Sequence, residues 1–384
     1  MGVLTKVKSA HGGERTGPVA LFAVMRNERK IVPHFLDHYR KLGVSDFFLV
    51  DNDSDDGQRE WLEAQKDVTL YYIKGGYADS NCGTDWVNEM IQAHGVDRWC
   101  LHVDADEMFV YAGCEETPIA AYAEALDREG ARAVFAFMID FYPSGSLANG
   151  RIDDIRGPFA TCQSLDSEYV FRDYPVKPWA KQGFPKYEVL GGPRVRLWSG
   201  LEAEARTTWF HYFLRGQVDR LEPLVPDFAF PTFVRFFEVQ PPHLQKVPFV
   251  RPQGASFRYH MGAHACDPLP LADENAVLCH FKFTADFHDR VLVEVQRAEH
   301  YRRGSQYIRY KQLIFDKGRD SFVYPGSVTY RDSRQLAELG IIRRLSTIGQ
   351  ADSENSAPAQ RQERFRAKWI RFGRRKRVEQ KTGA

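Results

Sequence analysis

The stretch VALFAVMRNERKIVPHFLDHYRKLGVSDFFLVDN (19–52) changes its hydrophobic period twice. VALFAVM (19–25) is a continuous apolar run, the pattern of a parallel strand buried on both faces. Residues 31–43 instead place Ile31, Phe35, Leu36, Tyr39 and Leu42 at helical spacing, and Gly43 stops that helix. DFFLVDN (46–52) then reads as a second strand. The alternation continues outward: a short helix around Arg59–Gln65, a strand VTLYYIK (68–74), a Gly-rich loop, a helix over Asp85–His94 and a strand RWCLHVD (98–104). This rhythm predicts an α/β fold with a mostly parallel sheet flanked by helices.

In such sheets ligands bind beyond the carboxyl ends of the strands. Three polar clusters sit there: Arg26-Asn27-Glu28, Asp51-Asn52-Asp53 and Asp104-Ala105-Asp106-Glu107. Downstream come a helix (118–129), a strand ARAVFAFMIDFY (131–142) and a Gly-, Pro- and aromatic-rich stretch (143–200) read as loops and short strands. The strand-like VLCHFKF (277–283) precedes a charged helical segment (285–317), and a C-terminal helical extension is expected after it. The expected division is 1–17 disordered, 18–317 the main domain (halves 18–130 and 131–317), 318–344 an extension, and 345–384 a linker with a basic tail.

Composition sets the class. The chain has 384 residues, 43% hydrophobic and 27% charged, enough for one large core or two modest ones. Net charge is +1, from 52 basic and 51 acidic residues, which excludes a polycation made for nucleic acid. Six scattered cysteines without CxxC spacing read as reduced thiols rather than a disulfide framework. No apolar signal core and no run of 18 apolar residues occurs, so the expectation is a cytoplasmic protein.

The acidic cluster at 104–107 carries the chemistry. Carboxylates at i and i+2, just after the buried strand WCLHV, suit a hard divalent cation bridging a pyrophosphate. Such a metal neutralises charge on a departing nucleoside diphosphate. Asp51, first after FFLV, points toward the crevice in this reading and suits a base or ribose hydroxyl, whereas Asp53–Gly57 is turn chemistry. A general base needs hydrogen-bond reach of an acceptor hydroxyl; Asp140 at a strand end, Glu188 and Asp173 are the candidates. Arg194 can pair with phosphate or with an acid in the site.

MRNE (25–28), HYRKLGVSDFFLVDNDSDDG (38–57) and WCLHVDADEMF (99–109) resemble the donor-binding half of glycosyltransferase family 2-like proteins of the GT-A fold. The nearest pattern is the bacterial subgroup whose motifs run RNE, DN.S.DG and D.DE. FMIDFYPSG (137–145), GGPRVRLW (191–198), LQKVPFV (244–250) and LCHFKF (278–283) resemble its later motifs, so the likeness spans residues 19–310. It implies a GT-A, Rossmann-like sheet and inverting transfer from a nucleoside-diphosphate sugar, UDP-sugar favoured, with Mn²⁺ or Mg²⁺. The acceptor would be a glycan or lipid-linked, in polysaccharide biosynthesis. Residue by residue, Arg26, Asn27 and Glu28 would line the nucleotide pocket and Asp51 would contact uracil or ribose. Asp104 and Asp106 would hold metal and diphosphate, with His280 as third ligand. Glu107 would support the ligand carboxylates or reach the sugar, Lys282 would meet a phosphate, and Asn88 keeps a helix position before the acidic strand. Met108 and Asp85 depart from the pattern, and the Glu-Asp pair that supplies a base in many family 2 enzymes is missing.

Ten Lys or Arg between Arg361 and Lys381, against Glu363 and Glu379, give the tail a charge of about +8. FRAKWIRFGRRKR (365–377) puts Phe365, Trp369 and Phe372 on one helical face, a pattern for an anionic membrane surface at the inner face. A solvated tail accounts for it equally well. Two other readings stand beside the transferase: a metal-dependent nucleotidyltransferase or phosphohydrolase on a related sheet, and a carbohydrate-binding protein without turnover. The loop Arg26–Lys30 has no glycine to cradle phosphates, which counts against the nucleotidyltransferase.

Overall fold

The computed structural model describes residues 3–173, 184, 187–197, 224–226, 228–230, 232–233, 243–254, 256–297 and 301–348. The first part runs β1 (Thr5–Lys8), β2 (Val19–Met25), α1 (Val32–Leu42), β3 (Asp46–Asp51), α2 (Gln58–Glu63), β4 (Val68–Tyr72), α3 (Thr84–His94), β5 (Trp99–His102), β6 (Glu107–Val110), α4 (Ile119–Arg128) and β7 (Ala133–Asp140). It continues with α5 (Pro158–Thr161), β8 (Ser164–Asp166), β9 (Tyr169–Asp173), β10 (Tyr187–Gly191), α6 (Gly192–Leu197), β11 (Gln245–Val250) and β12 (Ala276–His280). Then come α7 (Phe287–Arg297), α8 (Tyr301–Leu313), β13 (Ser327–Thr329) and α9 (Ser333–Glu338).

Nine strands form one mixed sheet in the order β1-β4-β3-β2-β5-β11-β7-β12-β6. β4, β3, β2 and β5 are mutually parallel, as are β7 and β12, while β1, β11 and β6 run against their neighbours. The sheet is therefore less parallel than expected, because double-sided burial makes a strand apolar without fixing its direction. Burial on both faces is direct in β2: Leu21 and Ala23 join the core that holds Phe35 and Tyr39 of α1. Ala20 and Phe22 join the other, with Val87, Met90 and Ile91 of α3. Gly43 ends α1 at φ 93°, the left-handed cap only glycine takes without strain.

The first 17 residues, expected as disordered, contain β1, which pairs antiparallel with β4. Val7 packs on the main core, so the alternation in TKVK suffices for an edge strand. Residues 349–384, including the basic amphipathic tail, lie outside the described residues, as does most of the expected linker. Among the described residues no helix is long and apolar enough to cross a membrane.

The chain passes β2, β3 and β4 outward in one direction, then returns to place β5 on the other side of β2. That is a topological switch point, with a crevice beyond the strand ends. Residues 103–106 cross the ends of the three strands that separate β5 from β6. Among the described residues no further strand lies beyond β6, and α1 covers its backbone instead. The Tyr39 hydroxyl donates to the Glu107 carbonyl (2.8 Å) and accepts from the Phe109 amide (3.0 Å). His38 Nε2 lies 3.0 Å from the Phe109 carbonyl, so the neutral Nε2–H form donates there.

Burial pushes the His38 imidazole down to about 4 from its ordinary 6.5. A base whose folded value is depressed binds fewer protons folded than unfolded between those two values. Its share of stability is intact above its unfolded value and is lost as pH falls toward about 4. His38→Gln keeps a donor for Phe109 without the titration. Its loss of melting temperature between pH 7 and pH 5 should be smaller than that of the parent, and equal losses would refute the assignment.

Candidate functional site

A cavity of about 1150 Å³ opens at the switch point. The ends of β2 (Val24–Lys30) and β5 (His102–Glu107), the start of α3, His280–Lys282 after β12 and one face of α7 line it. Chemistry-bearing residues more than 250 positions apart in sequence, Glu28 and Arg290 among them, thus meet in one place.

Two buried charge networks hold the acidic turn. In the first, Lys246 enters from β11 with 3% exposure and donates to Asp104 Oδ2 (2.7 Å) and Glu107 Oε1 (2.6 Å). Glu107 is wholly buried, whereas the Asp104 side chain is 53% exposed to the cavity. Burial raises the Glu107 carboxyl above its ordinary value against the pull of Lys246. Burial also opposes ionisation of Asp104, but Lys246 outweighs it and holds that carboxyl low. Lys246 in turn is held charged: burial disfavours the ammonium, and its two carboxylates more than reverse that.

The second network centres on His280. Its Nδ1 lies 2.6 Å from Asp140 Oδ1 and its Nε2 3.4 Å from Asp106 Oδ2. Arg194, 3% exposed, donates to the same Asp140 oxygen at 2.7 Å. The Asp140 carboxylate only accepts, so His280 Nδ1–H donates to it, and the Arg194 guanidinium, a donor only, stands 2.8 Å from that nitrogen while being served by the same carboxylate. Burial disfavours the imidazolium, yet Asp106 and then Asp140 raise His280 above its ordinary value. The Asp106 carboxyl lies far below the carboxylate range; burial works against this, and His280 dominates it. The Asp140 carboxyl is also low, with Arg194 and His280 overcoming its burial. The peptide joins in, because the Phe281 amide donates to the Asp106 carbonyl at 2.8 Å.

A third set of contacts ties α7 to the loop after β2. Arg290 pairs with Glu28 at 2.7 Å and Lys30 with Asp286 at 2.6 Å. Burial pushes the Glu28 carboxyl up while Arg290 opposes it. Arg26 lines the cavity, and so does Asn27, a left-handed residue at φ 56° whose Oδ1 accepts from the Asp55 amide. Lys282 lines it too, its ammonium 5.1 Å from the Tyr307 ring centre. His102 and His264 are kept neutral by burial, pushed down to about 4 and about 3.

Three expected site residues are placed elsewhere. Asp51 does not line the cavity: it is fully buried, accepting from Gln58 Nε2 (2.6 Å) and the Ser54 amide (3.1 Å). The turn captures its carboxylate, and Asn52, Asp55 and Asp56 face the cavity in its stead. Asn88 also turns away, its amide donating to the Tyr259 carbonyl (2.9 Å) and accepting from the Tyr259 amide (2.8 Å). Asp140 is 1% exposed and outside the lining, its Oδ1 held by Arg194 and His280 Nδ1. Of the other base candidates, Glu188 is buried in β10 away from the cavity, and Asp173 ends β9. Lys246 and Arg290 were not singled out in the sequence. The signal for Lys246 was a lysine inside the apolar run LQKVPFV; for Arg290, one charge among many on a helix, there was none.

The donor set fits a divalent cation in part. Asp106 and His280 Nε2 face each other, and a carboxylate holding the opposite ring nitrogen is the usual way an imidazole ligand is oriented. Asp104 is drawn toward Lys246 instead. Among the described residues no group of three or more His, Cys, Asp or Glu side chains converges as a metal site.

No family model matches this chain, and no curated protein matches it. Among solved structures, one described as a glucose-1-phosphate thymidylyltransferase from Bacillus anthracis, in complex with a sucrose, is similar over 37% of this chain and 67% of that one. At 9% identity and a TM-score of 0.22, that likeness carries no argument; the α/β sheet and its cavity stand on the chain's own geometry.

Proposed function

We propose that this chain is a metal-dependent glycosyltransferase of the GT-A type. It moves a sugar, with inversion, from a nucleoside-diphosphate sugar (a UDP-sugar favoured) to a glycan or lipid-linked acceptor. The observation that carries this reading is convergence: the RNE loop, the acidic turn and His280–Lys282 meet on one large cavity at the switch point.

In this reading Asp106 and His280 would hold a Mn²⁺ or Mg²⁺ ion, which when bound supplies positive charge beside the leaving diphosphate. Lys282 and Arg290 add fixed cations on the same side of the cavity. The exposed face of Asp104 accepts hydroxyls of the donor. Asp140 and Glu107 act through the neighbours they hold, His280 and Lys246. Arg26, Asn27 and Glu28 form the nucleotide end, with Glu28 working through Arg290.

The test is a calorimetric screen of UDP, GDP, CMP and their common sugars, each with and without Mn²⁺. One nucleotide should bind at least about tenfold more tightly with the metal, a difference of about 1.4 kcal/mol. Failure of every nucleotide under every metal condition would sink the transferase reading.

A further inference from the structure

The charge of the acidic turn is partly offset by the protein itself. Lys246 pairs with Asp104 and Glu107, Arg194 pairs with Asp140, and the His280 ring stands between Asp106 and Asp140, so each of the four carboxylates has a partner. Motif acids that await a cation are ordinarily left to repel one another until it arrives. These are not. Lys246 is the distinctive member, because it comes from a separate strand, is 3% exposed, and bridges the first and last acids of the turn. His280 spans the middle acid and Asp140 in the same manner.

We propose that Lys246 is a built-in counter-cation that makes this site poor at capturing a bare divalent ion and good at capturing one already carried by a diphosphate. The inference rests on the transferase reading for the identity of that diphosphate and goes beyond it in assigning the role of Lys246. The reasoning is Coulombic. A dication approaching Asp106 meets the buried Lys246 ammonium as well as the acids, and that ammonium offsets part of their attraction. A diphosphate brings its own negative charge, restores the attraction, and also finds Lys282 and Arg290 on the cavity wall. Lys246 keeps Asp104 turned toward itself through Oδ2, so that carboxylate is drawn away from a cation at Asp106. Lys246 is thus a positioning residue: it acts on the turn and not on the reacting atoms.

Mn²⁺ binding, read from the loss of its free-ion paramagnetic resonance signal, tests this without any turnover. The parent protein alone should bind Mn²⁺ at least tenfold more weakly than in the presence of saturating UDP or GDP. Lys246→Met should bind Mn²⁺ alone at least tenfold more tightly than the parent, having lost one positive charge. The paired variant Lys246→Met with Glu107→Gln restores the balance of charge and should return to the parent's weak binding. It also removes the buried unpaired carboxylate that threatens the fold of the single variant. Equal Mn²⁺ affinity in the parent and either lysine variant's unbalanced form, or tight binding in the balanced double variant, would overturn the proposal. If Lys246→Met does not fold, tight binding of bare Mn²⁺ by the double variant or by the parent still overturns it. The outcomes separate the two readings. Tighter Mn²⁺ binding by Lys246→Met with no nucleotide bound anywhere retains the counter-cation and removes the transferase. Nucleotide binding with no effect of the lysine does the reverse.

Discussion

Asp106→Ala is expected to lower sugar transfer by about 10³-fold, corresponding to about 4 kcal/mol of lost stabilisation of the leaving diphosphate. Asp106 lines the cavity beside His280 Nε2, and its carboxyl is held far below the carboxylate range, burial opposing this and His280 dominating it. On the transferase reading the substitution removes a metal donor, and it leaves Asp140 as the remaining carboxylate on the His280 ring. Because the Asp106 side chain is partly exposed, the melting temperature should move far less than the activity. Asp106→Asn, which keeps the shape but not the charge, should fall with the alanine variant. Transfer within a few-fold of the parent in either variant would remove Asp106 from the metal site. A collapse of the melting temperature would instead mark it as structural.

The second large effect is on stability. Arg194→Leu leaves Asp140, 1% exposed, without its guanidinium, and removing one partner of a buried pair costs about 3–5 kcal/mol. His280 is the remaining cation on that carboxylate and moderates the loss. Replacing both residues by leucine should cost less than the single change, since no uncompensated charge is then buried. Denaturant unfolding of the two variants decides it. A double variant as unstable as the single, or a single variant within about 1 kcal/mol of the parent, would show that the pair is not what holds this part of the sheet.

How far the sequence could be read follows from what each residue's pattern encodes. β2, β3, α1 and α3 begin and end within a residue or two of their expected limits, because double-sided burial and helical spacing are local properties. Strand direction is not local. QKVPFV carries a proline and a lysine, marks of an edge strand, yet β11 lies between β5 and β7. The register shift between Lys246 and Phe249 explains the tolerance: Pro248, which has no amide hydrogen, sits inside the irregularity. The site shows the same division. Asp104, Asp106 and Glu107 stand out as acids at a strand end and His280 through the likeness of LCHFKF to a family motif, and all four line one cavity. Asp51 was misplaced because its capture depends on Gln58, a residue that looks like any helix start. Asn88 was misplaced because its partner is a backbone segment 171 positions away. Lys246 could not be weighted properly until β11 was known to lie beside β5.

The crossing made by residues 103–106 over the ends of three strands has a consequence for how the molecule comes into being. The acids belong to the first third of the chain, while Lys246, which braces Asp104, arrives 142 residues later. Until β11 and β12 insert between the earlier strands, those carboxylates lack Lys246 and His280. Pairing over such separations is slow, because the entropy of closing a long loop must be met before any contact forms. A nascent or truncated chain that ends before residue 245 therefore carries the motif without the site. Competence arrives only with the last strands, and on heating it should disappear together with them.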